Sequence, residues 1–172
     1  MAAKRSAGIL LFRRAGADDG GPLVLLVHPG GPFWQKKDLG AWSIPKGQIE
    51  EGEDPRACAL RELAEELGAE AAPALAPEQL LGLGAIRQRG GKVVEAWAAE
   101  ADFDPERLAS NTFALEWPPR SGRKEEFPEV DRAEWFDLGE ASSRILAAQS
   151  ELLDRLAALL GGERPADDAN AI

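Results

Sequence analysis

The chain contains no tyrosine, one cysteine, one histidine and one methionine among 172 residues. A single cysteine excludes an internal disulfide framework and suits a reducing compartment. A single histidine, His28, excludes the His-rich donor sets of zinc chemistry; it is expected at a strand end, partly exposed. No stretch reaches the roughly 20 apolar residues of a membrane span. Lys4 and Arg5 precede the apolar run Gly8 to Phe12, but Arg13 and Arg14 end it too soon for a secretory signal. A basic excess is missing too: 20 Lys and Arg against 30 Asp and Glu leave a net charge of −10. That balance argues against non-specific binding of nucleic acid or anionic membrane, because both would be repelled. The third glycine and helix of a dinucleotide-binding turn are absent after Gly82 and Gly84. The expectation is a soluble, cytoplasmic protein with a small-molecule partner, no nucleic acid and no membrane. Its oligomeric state stays open.

What is present concentrates between Gly47 and Ala69. Asp54 stands where an N-cap accepts orphan amides, Pro55 fits the first helical position, and Gly68 fits a left-handed exit. On the helix between them, Glu62, Glu65 and Glu66 fall at i, i+3 and i+4 and share one face. Leu60, Leu63 and Leu67 form an apolar stripe on another side, suited to docking on a sheet. Three carboxylates this close repel one another unless a cation neutralises them. A hard dication does so: magnesium accepts a few carboxylates, keeps waters and takes further ligands from phosphates, and manganese is a plausible substitute.

The pattern G-x5-E-x7-R-E-L-x-E-E-x-G is met by Gly47, Glu53, Arg61, Glu62, Leu63, Glu65, Glu66 and Gly68. At ordinary residue usage it arises by chance in about one in 10^8 windows or fewer. The segment resembles the signature box of the Nudix hydrolases, with Ala69 in place of the bulky apolar residue that ends the box. The resemblance implies an α/β fold: a Nudix-like α/β/α sandwich with a mixed β-sheet, the box helix on one side and the C-terminal helix on the other. It implies a metal set of the Gly47 carbonyl, Glu62, Glu65 and Glu66, with Mg2+ (or Mn2+) as cofactor. Glu53 has a more structural part, and Arg61 holds a neighbouring glutamate. The implied reaction is hydrolysis of a phosphoanhydride by water attack on phosphorus. Catalytic candidates are Glu62, Glu66 and Arg61. The base is Glu66 or Glu62, or an additional acid from a later segment, Glu125, Glu126 or Glu129.

Along the chain, Ala7 to Phe12 and Leu23 to Val27 read as an opening hairpin of short strands. A loop from Pro29 to Ala41 leads into Trp42 to Gly47, where Lys46 either meets a phosphate or is solvated. Leu80 to Gln88 and Lys92 to Ala101 pair across Gly90 and Gly91. Phe103 to Phe127 looks irregular and inserted. Within it, Trp117, Arg120, Arg123 and Lys124 combine an aromatic with cations, as substrate-binding residues do. Glu134 to Phe136 reads as a last strand, and Leu138 to Leu160 as one long amphipathic helix. Residues 1–160 are expected to form a single domain and 161–172 a polar, disordered tail. Cys58 reads as helix packing.

Substrate preference is read from loops outside the box. Family members acting on dinucleoside polyphosphates often carry a tyrosine to stack adenine; with none here, Trp34, Trp97 or Trp117 could substitute. The favoured substrate is a nucleoside polyphosphate, a triphosphate or a dinucleoside polyphosphate. ADP-ribose or a nucleotide sugar is the alternative, and a non-catalytic nucleotide-binding module a further one.

Overall fold

A computed structural model describes residues 4–14 and 21–161. The expected C-terminal tail from 162 onward lies outside these residues. The apolar run near the N-terminus forms strand β1 (Arg5–Arg14), and Pro22–Pro29 forms β2, antiparallel to it with Phe12 opposite Val24. Both strands are near-continuous in apolar residues, as strands covered on both faces must be. A short strand, β3 (Lys46–Gln48), pairs with β1 through Gly8 and Lys46. The acidic segment follows as helix α1 (Pro55–Leu67), then β4 (Leu81–Arg87) and β5 (Val93–Glu100), antiparallel to each other. Strand β5 lies parallel to β1, with Leu10 opposite Ala98. After β6 (Thr112–Glu116) and β7 (Lys124–Pro128) comes β8 (Val130–Asp137), antiparallel to β2. The main sheet runs β4-β5-β1-β2-β8 with β3 on β1, and is therefore mixed.

Side-chain alternation along β1 divides the core into two layers. Ala7, Ile9 and Leu11 face α1, where Cys58, Ala59, Leu63 and Leu67 are buried; Leu10 and Phe12 face Leu152, Leu153 and Leu156 on the other side. Leu63 and Leu67 each contribute about 2 kcal/mol by this burial. Leu60, placed in the docking stripe by its spacing, is partly buried at the edge of this layer, and Cys58 and Ala59 pack fully beside it. The fold is an α/β sandwich with the acidic helix on one face and the C-terminal helices on the other.

Two expectations are corrected. The segment 138–160 is not one helix but α2 (Leu138–Arg144) and α3 (Ser150–Leu160). Ile145 and Leu146 are extended (ψ 150° and 134°) because Ile145 bridges to Trp42 and the Leu146 amide donates to the Trp42 carbonyl at 2.8 Å. A strand-type pairing to the loop thus replaces one turn of helix. The segment 103–127, expected to be irregular, contains most of the hairpin β6–β7. Phe113 and Leu115 do alternate inward, but the partner strand is mostly charged, and the connection between them is long. The Glu116 carboxylate organises that connection, accepting from the amides of Arg120 (3.3 Å) and Gly122 (3.0 Å). Among the described residues no helix is long and apolar enough to cross a membrane.

Candidate active site

The start of α1 is fixed by Asp54, whose carboxylate accepts the Ala57 amide at 3.1 Å, with Pro55 next. The exit at Gly68 has φ 108°, a conformation an L side chain rarely adopts, and a Cβ there would meet the Ala109 carbonyl at 3.1 Å. The docked face of α1 fixes its rotation, and rotation decides where the acidic residues point.

Arg61 is the hub of that face. Its Nε and Nη2 donate to the two oxygens of Glu53 at 2.8 and 3.0 Å, while Nη1 donates to Glu62 at 2.7 Å and Glu65 at 2.9 Å. Nη2 also reaches the Gln48 carbonyl at 3.1 Å, tying the helix to the end of β3. A planar fork suits this, since a lysine could meet one of these partners but not all. The Arg61 hydrogen bonds, with the Glu50 amide beside them, pull the Glu53 carboxyl down to about 2. Glu53 and the other acids in turn raise the basicity of the guanidinium.

Glu62 and Glu66 are stressed in the opposite direction. Burial, then repulsion from Glu65, raises Glu62. Burial pushes Glu66 up to about 8; Lys46 pulls it back, and Glu62 and Glu129 push it further. Lys46 is itself lowered, by burial and then by the neighbouring Lys92. The Glu62 carboxylate lies on the backbone of Gly47, so close that a Cβ at position 47 would sit 2.0 Å from Glu62 Oε1. Cys58, one turn before Glu62, is fully buried, and burial pushes its thiol up to about 11, which makes it inert packing.

Beside this cluster lies a cavity of about 220 Å³. Glu66, Lys46 and Glu129 form its polar end, and Trp34, Val27, Leu146 and Val130 are among its apolar walls. Of the three later acids singled out in the sequence, Glu129 alone lines it; Glu125 and Glu126 are exposed on β7. Burial, then Glu65, raises Glu129 as well. Its position is held by backbone bonds: Asn111 donates to the Glu65 carbonyl (2.9 Å), Glu129 to the Asn111 carbonyl (2.8 Å) and Gly30 to the Glu129 carbonyl (2.9 Å).

Trp117, Arg120, Arg123 and Lys124 lie on the β6–β7 hairpin and its turn, outside the cavity lining. Of the three tryptophans considered for stacking, Trp34 lines the cavity, while Trp97 is 7% exposed in the core. His28 is fully buried, not a partly exposed strand end: Nδ1 lies 2.8 Å from Asp131 and Nε2 2.6 Å from the Lys37 carbonyl. The loop 30–41 folds back over the strand end and covers it, which strand periodicity cannot show. Val130, Leu146 and Ser43 also escaped the sequence reading, because their part in the cavity arises only from tertiary packing.

A family model described as NUDIX domain matches residues 2–156. The chain belongs to the Nudix family. Similar Nudix relatives include an RNA pyrophosphohydrolase of Rhizobium meliloti (strain 1021), 32% identical over 61% of this chain and 64% of that protein, under two thirds of its length. An RNA pyrophosphohydrolase of Brucella abortus (strain 2308) is 27% identical over 88% of this chain and 83% of its own. In fold, the chain resembles the C. elegans Ap4A hydrolase binary complex, with TM-score 0.59, 23% identity, and 91% and 98% of the two chains covered. It equally resembles the NUDIX domain of Shewanella oneidensis NrtR complexed with ADP ribose (TM-score 0.59, 21% identity, 93% and 90% covered).

Donor chemistry bears on whether a Nudix metal fits here. Glu62, Glu65, Glu66 and the Gly47 carbonyl are all hard oxygen donors, and the Gly47 backbone is open to Glu62 only because it lacks a Cβ. Among the described residues no three acidic, His or Cys side chains already converge as a cage. Arg61 instead holds Glu62 and Glu65 as a guanidinium-bound pair. The residues fit the ion by type and by the Gly47 approach.

Proposed function

We propose that residues 1–160 act as one Nudix hydrolase domain that cleaves a phosphoanhydride bond of a nucleoside polyphosphate, a triphosphate or a dinucleoside polyphosphate, with Mg2+ or Mn2+. The observation that carries this reading is the juxtaposition of Glu66, Lys46 and Glu129 at the polar end of a cavity whose walls are apolar and aromatic. Such a cavity takes a nucleobase, and its polar end takes phosphate.

In this reading Gly47, Glu62, Glu65 and Glu66 would hold the dication, which would neutralise phosphate charge and acidify water. Arg61 keeps Glu62 and Glu65 oriented and anchors them to Glu53. Lys46 meets the phosphate charge. Glu129 stands free of the Arg61 network and receives the proton of the attacking water. The water oxygen bonds to phosphorus as the bridging P–O bond breaks, and the leaving phosphate departs in line. Exclusion of bulk water by Trp34 and Leu146 strengthens each of these charges.

A second reading is that the polyphosphate belongs to the 5′ end of RNA. The names of the two curated relatives favour it. Phosphate or pyrophosphate release from a panel of nucleoside triphosphates, dinucleoside polyphosphates, ADP-ribose and 5′-triphosphorylated RNA, with Mg2+, tests both. Turnover of none by the wild-type protein overturns the hydrolase assignment, and wild-type activity in Glu66→Gln overturns the role given to Glu66.

A further inference from the structure

The hairpin β6–β7 is anchored at its base to the carboxylate cluster, through Asn111 and Glu129, and reaches outward to an exposed turn. Its register pairs Phe113 with Phe127 and Leu115 with Glu125, and the Trp117 amide donates to the Arg123 carbonyl at 2.9 Å. Cross-strand partners share a face, so Phe113, Leu115, Trp117, Arg123, Glu125 and Phe127 lie on one side; Glu116, Lys124 and Glu126 lie on the other. The first side meets the loop after β2. Phe33 packs edge-on against Trp117 with centroids 5.5 Å apart, yet Phe33 remains 59% exposed. The next residue, Trp34, turns the other way and lines the cavity. The loop is thus a partition with an aromatic on each side.

Among the described residues Arg120, Arg123 and Lys124 form no ion pair. Arg123 pairs across the hairpin with Trp117, which places one of these cations beside a half-buried ring and, through it, the exposed Phe33. Trp117 stands roughly 20 Å along the strand from Asn111. A polyphosphate held at the carboxylates leaves these cations without a phosphate of their own. A ligand that also carries phosphodiesters supplies both places, and rings beside cations suit an unpaired strand.

We propose that Phe33, Trp117 and Arg123 form an outer nucleotide subsite for single-stranded RNA whose 5′ polyphosphate end lies at the carboxylates. The rings stack a base, and Arg123, with Arg120 at the turn, holds its phosphodiester; Lys124 faces away. The net negative charge confines RNA to this strip and makes its binding sensitive to salt. The inference rests on the hydrolase reading above.

The test compares wild type, Trp117→Ala and Arg123→Gln on a free nucleoside triphosphate, a dinucleoside tetraphosphate and a 5′-triphosphorylated RNA octamer. Wild type is expected to favour the octamer over the free nucleotide in kcat/KM. Each variant should raise KM for the octamer about tenfold, with kcat unchanged and free-nucleotide turnover within about twofold. Variants that match wild type on the octamer, or a wild type with no gain from length, overturn the subsite. Loss confined to the dinucleoside tetraphosphate overturns RNA as the occupant. Should the wild-type protein hydrolyse nothing, the hydrolase reading falls, and anisotropy with a 5′-monophosphorylated octamer still decides the subsite. Binding weakened in both variants supports it; unchanged binding overturns it.

Discussion

The acidic face of α1 and the β6–β7 hairpin solve opposite problems with similar residues. On α1 one arginine is shared among Glu53, Glu62 and Glu65 at 2.7–3.0 Å, and these three carboxylates are oriented before any ligand arrives. On the hairpin, among the described residues, Arg120 and Arg123 have no carboxylate partner, and the nearby acid, Glu116, is spent on backbone amides. The first arrangement suits the proposed hydrolysis, which tolerates little displacement. The second leaves charge available to the proposed RNA strand.

Substitutions should expose that contrast. The largest expected loss is in Glu66→Gln, which keeps the volume of the side chain while removing its charge. Turnover should fall about 10^3-fold or more with the melting temperature unchanged or raised, since folded Glu66 must take up a proton at neutral pH and Gln needs none. A variant that melts far below wild type would assign Glu66 to the core instead. Next is Glu129→Gln, for which kcat should drop about 10^2-fold while the Mg2+ affinity stays as in wild type; calorimetric titration separates this from loss of a ligand. Gly47→Ala places a methyl on the Glu62 carboxylate and should weaken Mg2+ binding about tenfold or more. Unaltered titration curves would show that Glu62 moves freely. Arg61→Lys keeps the charge but abandons the fork, and is expected to cost about 1–2 kcal/mol in urea unfolding. The losses of turnover in Glu66→Gln and Glu129→Gln should exceed any effect of Trp117→Ala on free nucleotides.

Acidity sharpens the same comparison. Glu66 holds its proton to about pH 8 in the folded, metal-free chain, against an ordinary value of 4.5. Its contribution to stability is therefore fully present below about pH 4.5 and is lost as pH rises through 8. Mg2+ competes with that proton, so Mg2+ affinity should climb between pH 6 and pH 8.5 with release of close to one proton. A flat pH profile would contradict the burial of Glu66. Glu53 behaves inversely: its pairing stabilises the fold above 4.5 and is lost as pH falls towards 2.

Much of this was legible in the residues, for identifiable reasons. The caps of α1 and its spacing are local, so Asp54, Pro55 and the acidic face could be placed without tertiary information. The layering came from the family resemblance, and it agrees with strands β1 and β2, which are too apolar to expose either face. The break between α2 and α3 was not legible, because Ile145 leaves the helix to pair with Trp42, a partner about a hundred positions away in the chain. Glu129 could be listed beside Glu125 and Glu126 but not preferred, since what sets it apart is a backbone bond to Asn111. The strand β7 was hidden by its charges: Lys124, Glu125 and Glu126 are all exposed, and only Phe127 is half-buried, so no alternation is visible in its sequence.

The bonds that join Glu65, Asn111, Glu129 and Gly30 also make the hairpin a replaceable cassette. The chain leaves and returns at one clamped point, so the entropic cost of what lies between grows only slowly with its length. The outer arm can therefore lengthen, shorten or change its charge while the carboxylate cluster beneath stays in register.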